Sequence, residues 1–229
     1  MTDVREHGLI YSAQMIRALL PAPKIIKTMT RRPVSRVNSL VDGYRWPAER
    51  WAELRFEDAW IDRGPSPVGN PGPYLQVPRD AEGDHFVHRV YPVYQPGDTM
   101  WARETWRIER RGEMLLLDFA ADTGAPTMSD VSLIVAAAKY ADSEMRWRSP
   151  IHLPRWASRI VRRIGLVRPE RLGEISEGDV QAEGCTGSPY GPSADHMLFP
   201  RLWEQIYGTG AWERDERRWL WVIGGFEAL

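Results

Sequence analysis

Apolar and polar positions change period several times along this chain, and each change marks an element. Leu9, Ile10 and Tyr11 open an apolar stretch that stops at Ser12, a residue suited to cap a helix. Residues 13–20 then read as a compact helix closed by Pro21. The run that follows, Lys27-Thr28-Met29-Thr30-Arg31-Arg32, places an amine, two hydroxyls and two guanidinium groups within six residues before Pro33. Buried strands rarely hold that much polar function, because each buried polar group needs a partner. The run is either a solvated edge or the wall of a polar pocket.

Beyond it, residues 46–54 predict a short helix with Pro47 in its first turn and Trp51 and Leu54 on one face. Residues 64–73, rich in Pro and Gly, predict a loop. After the Gly97-Asp98 turn, residues 99–108 predict a strand. Trp101, Arg103 and Thr105 share one of its faces, and Met100, Ala102, Glu104 and Trp106 the other. A turn at 110–112 leads into a second strand over 113–120. One long strand is expected over 156–168, with Gly165 as a bulge. Ser176 and Asp179 have capping-box spacing and would open a short helix ended by Gly184. Residues 187–195 predict another loop. Residues 199–207 form an amphipathic pattern with Leu202, Trp203 and Ile206 inward, and 219–223 are apolar on both faces, as a central strand is.

The total is about six strands and three or four short helices with no βαβ rhythm, which predicts an α+β fold built on a small curved sheet or barrel. The chain reads as a single domain over 1–229 with insertions at about 34–93 and 121–149, the second holding a helical turn or two near 131–138.

Composition adds limits. The 229 residues, 43% hydrophobic with 11 Trp, suffice for a sizeable core. No apolar stretch approaches the ~20 residues that span a bilayer. The first residues lack the layout of a signal peptide, and one Cys allows no internal disulfide, so a cytoplasmic protein is expected. Cys185 carries no nucleophile signature. His85 and His88 stand three apart without further ligands at metal spacing, so no metal or other cofactor is expected. The net charge of −1 conceals an asymmetry: residues 145–171 hold eight Arg and a single acid, Glu170, a local +7 that leaves −8 elsewhere. Such a segment fits a phosphate-bearing partner, and it fits internal ion pairing equally well.

The ordered blocks resemble the ASCH domain of the wider PUA-like group, small β-barrels associated with RNA and modified bases. The likeness is strongest to the longer ASCH proteins of bacteriophages and prophages. The blocks are residues 10–20, 27–32, 97–106 and 149–159, then 175–184, 199–203 and the closing strand, together about half of the chain. The resemblance implies a PUA-like barrel of about six strands flanked by short helices, with a cleft floored by a Lys-x-x-Thr-x-Arg motif at Lys27, Thr30 and Arg32. Ile25 stands where the family carries Gly. Some ASCH proteins remove the acyl group from N4-acetylcytidine with a Lys, a Thr and a Glu, which here match Lys27, Thr30 and Glu183. A phage-encoded member would work in the cytoplasm of the host cell.

Amide hydrolysis needs a nucleophile, a base and an acid for the leaving amine. Thr30, Lys27 and Glu183 supply those types, with Thr28, Arg32, Trp101 and Arg103 as candidate substrate contacts. Alternation along a regular strand would put Lys27 and Thr30 on opposite faces, so Lys27 must precede the strand for the pair to cooperate. The alternatives are a non-catalytic module that binds RNA or a modified base, and a metal-independent ribonuclease. Both would use Arg155, Arg159, Arg162 and Arg163 on nucleic acid. The expected partner is a modified nucleoside or RNA, with no membrane.

Overall fold

The structure is a computed structural model, and it describes residues 4–20, 27–64, 72–79, 86–111, 114–122, 146–186 and 197–228. The chain opens with β1 (Glu6–Ile10) and α1 (Ala13–Leu19), whose N-cap Ser12 accepts from the Met15 amide through its hydroxyl. Strands β2 (Met29–Pro33) and β3 (Ser39–Val41) follow, then α2 (Ala48–Ala52) with Pro47 as its N-cap. Next come β4 (Trp60–Asp62), β5 (Tyr74–Pro78), β6 (Val87–Pro92), β7 (Thr99–Arg103), β8 (Trp106–Arg111) and β9 (Met114–Phe119). The last third holds β10 (Val161–Arg163), β11 (Leu166–Arg171), α3 (Glu177–Ala182), α4 (Leu198–Tyr207), α5 (Ala211–Asp215), β12 (Trp219–Gly224) and β13 (Glu227–Ala228). The fold is mixed α+β and mostly sheet. Where about six strands were expected, thirteen are found among the described residues, because some long runs break into short strands and because the 34–93 stretch, expected as an insertion, holds four. No closed barrel is found among the described residues, whose strands lie in four separate sheets. No helix among them is long and apolar enough to cross a membrane.

The chain divides into two compact units. The first comprises residues 1–27, 99–162 and 228–229. In it β1 pairs in parallel with β7, and β8 with β9 forms an antiparallel hairpin over a core of Trp106, Ile108, Leu117, Phe119, Leu153 and Ala157. The strand expected over 99–108 breaks at Glu104 and Thr105. Its first half pairs with β1 and its second with β9, and one continuous strand could not serve both.

The second unit comprises residues 28–98 and 163–227. Strand β12, buried at all six positions, lies between β11 and β2, antiparallel to both. The 34–93 stretch, expected as an insertion, carries the sheet β3-β6-β5-β4, and Val41, Leu75, Val77 and Val90 bury their side chains completely in one cluster with Trp219 and Trp221. A third cluster joins α3, α4 and α5 through Val180, Phe199, Leu202, Trp203 and Ala211, with Leu172 beside them. Ile206, expected to face inward, is 43% exposed, because the helix turns only Phe199, Leu202 and Trp203 to the core.

The expected strand over 156–168 is instead a turn of 3-10 helix at Arg155–Ala157 followed by two short strands that part at Gly165. There the Gly165 amide donates to the Gly224 carbonyl at 3.0 Å, and a Cβ at Gly165 would stand 2.6 Å from the Gly225 carbonyl oxygen. Only glycine allows that backbone approach. Most of the 64–73 and 121–149 segments, the turns expected at 110–112 and 131–138, the 187–195 loop, Ile25 and His85 lie wholly or partly outside the described residues.

Candidate functional site

Strand β2 carries the polar run, and strand geometry sorts it. Met29 and Arg31 point to one side, Thr30 and Arg32 to the other. Opposite them on β12 stand Gly224, Ile223, Val222 and Trp221.

On one side, Arg31 is 5% exposed and ringed by carboxylates. Its Nε and Nη2 donate to Glu170 Oε1 at 3.1 and 2.8 Å, Nη2 also to Asp179 Oδ2 at 2.8 Å, and Nη1 to Glu183 Oε1 at 3.0 Å. Glu170 comes from β11. Asp179 and Glu183 stand four apart on the short helix α3, where that spacing brings two side chains to one face. Arg168 adds a second cation, donating to Asp179 at 2.6 Å and also to Glu170. Burial works against the charge on Arg31, but Glu183, Glu170 and Asp179 outweigh it and hold the guanidinium ionised.

On the other side, Thr30 is completely buried, and its hydroxyl has no hydrogen-bond partner among the described residues. A buried hydroxyl left unbonded costs about 1–3 kcal/mol, so the site holds polar capacity that the fold itself does not use. Arg32 shares this face, and its charge acts on Tyr94 and Tyr207. Burial pushes both phenols up, and Arg32 works against that shift.

The sequence-predicted residues fall as follows. Lys27 is 2% exposed and precedes β2, so strand alternation does not set it against Thr30; its amide donates to the Ala18 carbonyl. Thr28 is half-buried, its amide bonded to the Ala182 carbonyl at the end of α3. Glu183 is buried, with one carboxylate oxygen engaged by Arg31, whose side chain leaves β2 on the face opposite Thr30. In the first unit, Trp101 is buried under Gly8 of β1, where an added Cβ would stand 2.7 Å from the indole. The Arg103 guanidinium lies 4.8 Å from the Trp101 ring centre and that of Arg155 6.0 Å, which fills the indole's surroundings with the protein's own groups. Arg103 Nε is itself buried without a hydrogen-bond partner.

The arginines proposed for nucleic acid are largely engaged within the first unit. Arg155 pairs with Glu6 at 2.9 and 3.1 Å. Arg159 donates to Glu104 at 3.0 and 2.9 Å and to Asp122 at 2.7 Å, over the Phe119 ring. Arg162 donates to the carbonyls of Val161 and Leu19. Arg163 is exposed. Among the described residues no group of three or more His, Cys, Asp or Glu is placed to hold a metal ion. His88 instead joins its Nδ1 to Asp42 at 2.7 Å.

Sequence reasoning singled out Glu183 but did not foresee that it, Glu170 and Asp179 hold Arg31. One signal was present: Glu170 is the lone acid in the arginine-rich segment, and a single acid among eight cations is a natural internal partner. Tyr94 and Tyr207 gave no such signal. No protein-family model matches the chain, and neither a curated protein nor a solved structure is significantly similar to it.

Proposed function

We propose that the chain is an ASCH-type domain of the PUA-like group that acts on a modified nucleoside, removing the acyl group from N4-acylcytidine. The observation that carries this reading is the wholly buried, unbonded hydroxyl of Thr30 on a strand whose other face is locked by Arg31 and its carboxylates. A hydroxyl fixed on a rigid strand and left unbonded by the fold is of the type a nucleophile or a base-recognising donor uses once a substrate reaches it.

In this reading the Thr30 oxygen attacks the acyl carbon and passes its proton to a base, the role the resemblance gives to Lys27. The amide C–N bond then breaks as N4 takes up the proton that Lys27 received from Thr30, and water releases the acyl group from Thr30. Glu183, which the resemblance matches to the proton donor, is held by Arg31 on the other face of β2 and takes no part in this step. A free nucleoside is favoured over RNA because Arg155 and Arg159 are already paired with carboxylates inside the protein.

The test is release of cytidine from N4-acetylcytidine, beside the same base within an RNA oligonucleotide. The wild type should deacylate the free nucleoside, Thr30→Val and Lys27→Ala should lose that activity, and Thr30→Ser should keep part of it. Equal activity in wild type, Thr30→Val and Lys27→Ala would overturn the assignment. Salt-sensitive RNA binding without deacylation would favour the non-catalytic module instead.

A further inference from the structure

A second feature lies within the same unit, around the end of β11. There Arg171, Arg217, Arg218 and Glu57 surround a cavity of about 310 Å³ walled by Phe56 and Trp219. This volume is at the small end of the range for ligand pockets.

Its arginines differ from Arg31, Arg155 and Arg159 in how they are held. Arg171 stacks on Trp219, its guanidinium carbon 4.3 Å from the ring centre. Its Nη1 donates to the Arg217 carbonyl at 2.8 Å, and its Nη2 to the carbonyls of Glu57 and Ala59 at 3.1 and 3.4 Å. Carbonyls orient a guanidinium without cancelling its charge. Among the described residues no carboxylate lies within ion-pair distance of Arg171 or Arg217. Arg218 reaches Asp215 only at 3.5 Å, and that carboxylate is already bonded by Arg214 and by the Trp203 indole. Glu57, the one acid on the wall, lies 3.7 Å from Arg55.

The frame is rigid where the charges sit. The Arg218 amide donates to the Asp215 carbonyl at 2.7 Å, Leu172 to Arg218 at 3.0 Å, Gly173 to Glu216 at 2.8 Å, and the Trp219 indole to the Phe56 carbonyl at 2.9 Å. The turn bearing Arg217 and Arg218 is thus fastened to the end of β11 before any ligand arrives, which lowers the cost of binding.

We propose that this cavity binds a phosphomonoester carried on a flat, ring-bearing group. A phosphomonoester carries about −1.5 to −2 at neutral pH, which two guanidinium charges without carboxylates balance. The Phe56 and Trp219 walls suit the ring. The site is separate from the Thr30 face and does not depend on the reading given to it.

The test uses the purified full chain and calorimetric titration with cytidine 5′-monophosphate, cytidine and inorganic phosphate. The monophosphate should bind more tightly than either of its parts. Loss of one charged arginine contact should weaken it roughly tenfold or more. That loss is expected in Arg217→Glu, whose exposed side chain pairs with no carboxylate among the described residues and leaves thermal unfolding unchanged. It is also expected in Arg218→Glu, which gives up the Asp215 pair as well and unfolds earlier. Arg217→Lys should fall between. Monophosphate binding unaltered in both Glu variants would overturn the proposal. So would cytidine binding as tightly as its monophosphate, which places recognition elsewhere, or no monophosphate binding by the wild type at millimolar concentration.

Discussion

Arg31 on β2 and Arg171 on β11 lie on the two strands that flank β12, and both are fixed in place, yet they are fixed by opposite means. Arg31 is buried against Glu170, Asp179 and Glu183, which consume its charge. Arg171 is half-buried against an indole face and three carbonyls, which leave its charge to act on whatever enters the cavity. The same side chain is a structural rivet in one setting and a cavity-facing cation in the other. The number of arginines in a segment therefore says little about basic surface until their partners are known.

The largest effect should come from breaking the rivet. Arg31→Met removes the cation that joins all three carboxylates and leaves Arg168 to serve only Glu170 and Asp179, so unfolding in urea should show a loss of about 3–5 kcal/mol. At the other arginine, Arg171→Lys keeps the charge but loses the planar stack on Trp219 and the fixed carbonyl bonds. A loss of about 1–2 kcal/mol is expected in the same measurement, with lysine failing to rescue the stack. Stability equal to wild type in Arg31→Met would erase the contrast between the two.

Thr30→Val should move in the opposite direction. Removing a buried hydroxyl that has no partner makes the protein equally or slightly more stable, by up to about 1 kcal/mol, while deacylation is lost. A stability loss above that would mean that the hydroxyl serves the fold.

The smallest effect concerns acid. Burial alone would raise the Asp215 carboxyl, but its bonds from Arg214 and the Trp203 indole and the charge of Arg218 outweigh burial and hold it below the ordinary range. A depressed carboxyl contributes stability that is present above its unfolded pKa, near 3.9, and is lost as pH falls through the folded value. Asp215→Asn should therefore be less stable than wild type at neutral pH, with the gap closing in acid. It should also release Arg218 from its carboxylate, turning it toward the condition of Arg171 and tightening binding of the monophosphate. Parallel stability profiles across the acid range would show that the Asp215 pair contributes nothing to acid sensitivity.

What could be read in advance was local. The Ser12 and Ser176 caps, the wholly apolar β12 and the crowding of polar groups on β2 all follow from residues within a few positions of one another. What could not be read was carried by distant pairs. Arg155 meets Glu6 from 149 positions away, Arg31 meets Glu183 from 152, and Arg159 finds Glu104 from 55. Charge counting gave the +7 of the 145–171 segment and left internal pairing open, but it did not show that Arg155, Arg159 and Arg168 are held by carboxylates. Breaks were missed for a related reason: at Gly165 the apolar pattern continues, while the backbone parts because another backbone lies against it. The single hydroxyl of Thr30 was legible as a candidate, but its lack of a partner depends on what surrounds the strand.

The contact between Gly165 and Gly225 has a consequence for how this chain can vary. Glycines at Gly43, Gly97 and Gly208 have positive φ and open space where a side chain would go, so a library of codon changes should accept Asn there more readily than other residues. Gly165 reverses that profile: its φ is unremarkable, and what excludes even alanine is a neighbouring carbonyl. No relaxation of one residue cures such a clash, because the obstructing atom belongs to another backbone. Position 165 should therefore appear in such a library as a column without survivors, recovered only by changes that displace the backbone at 224–225.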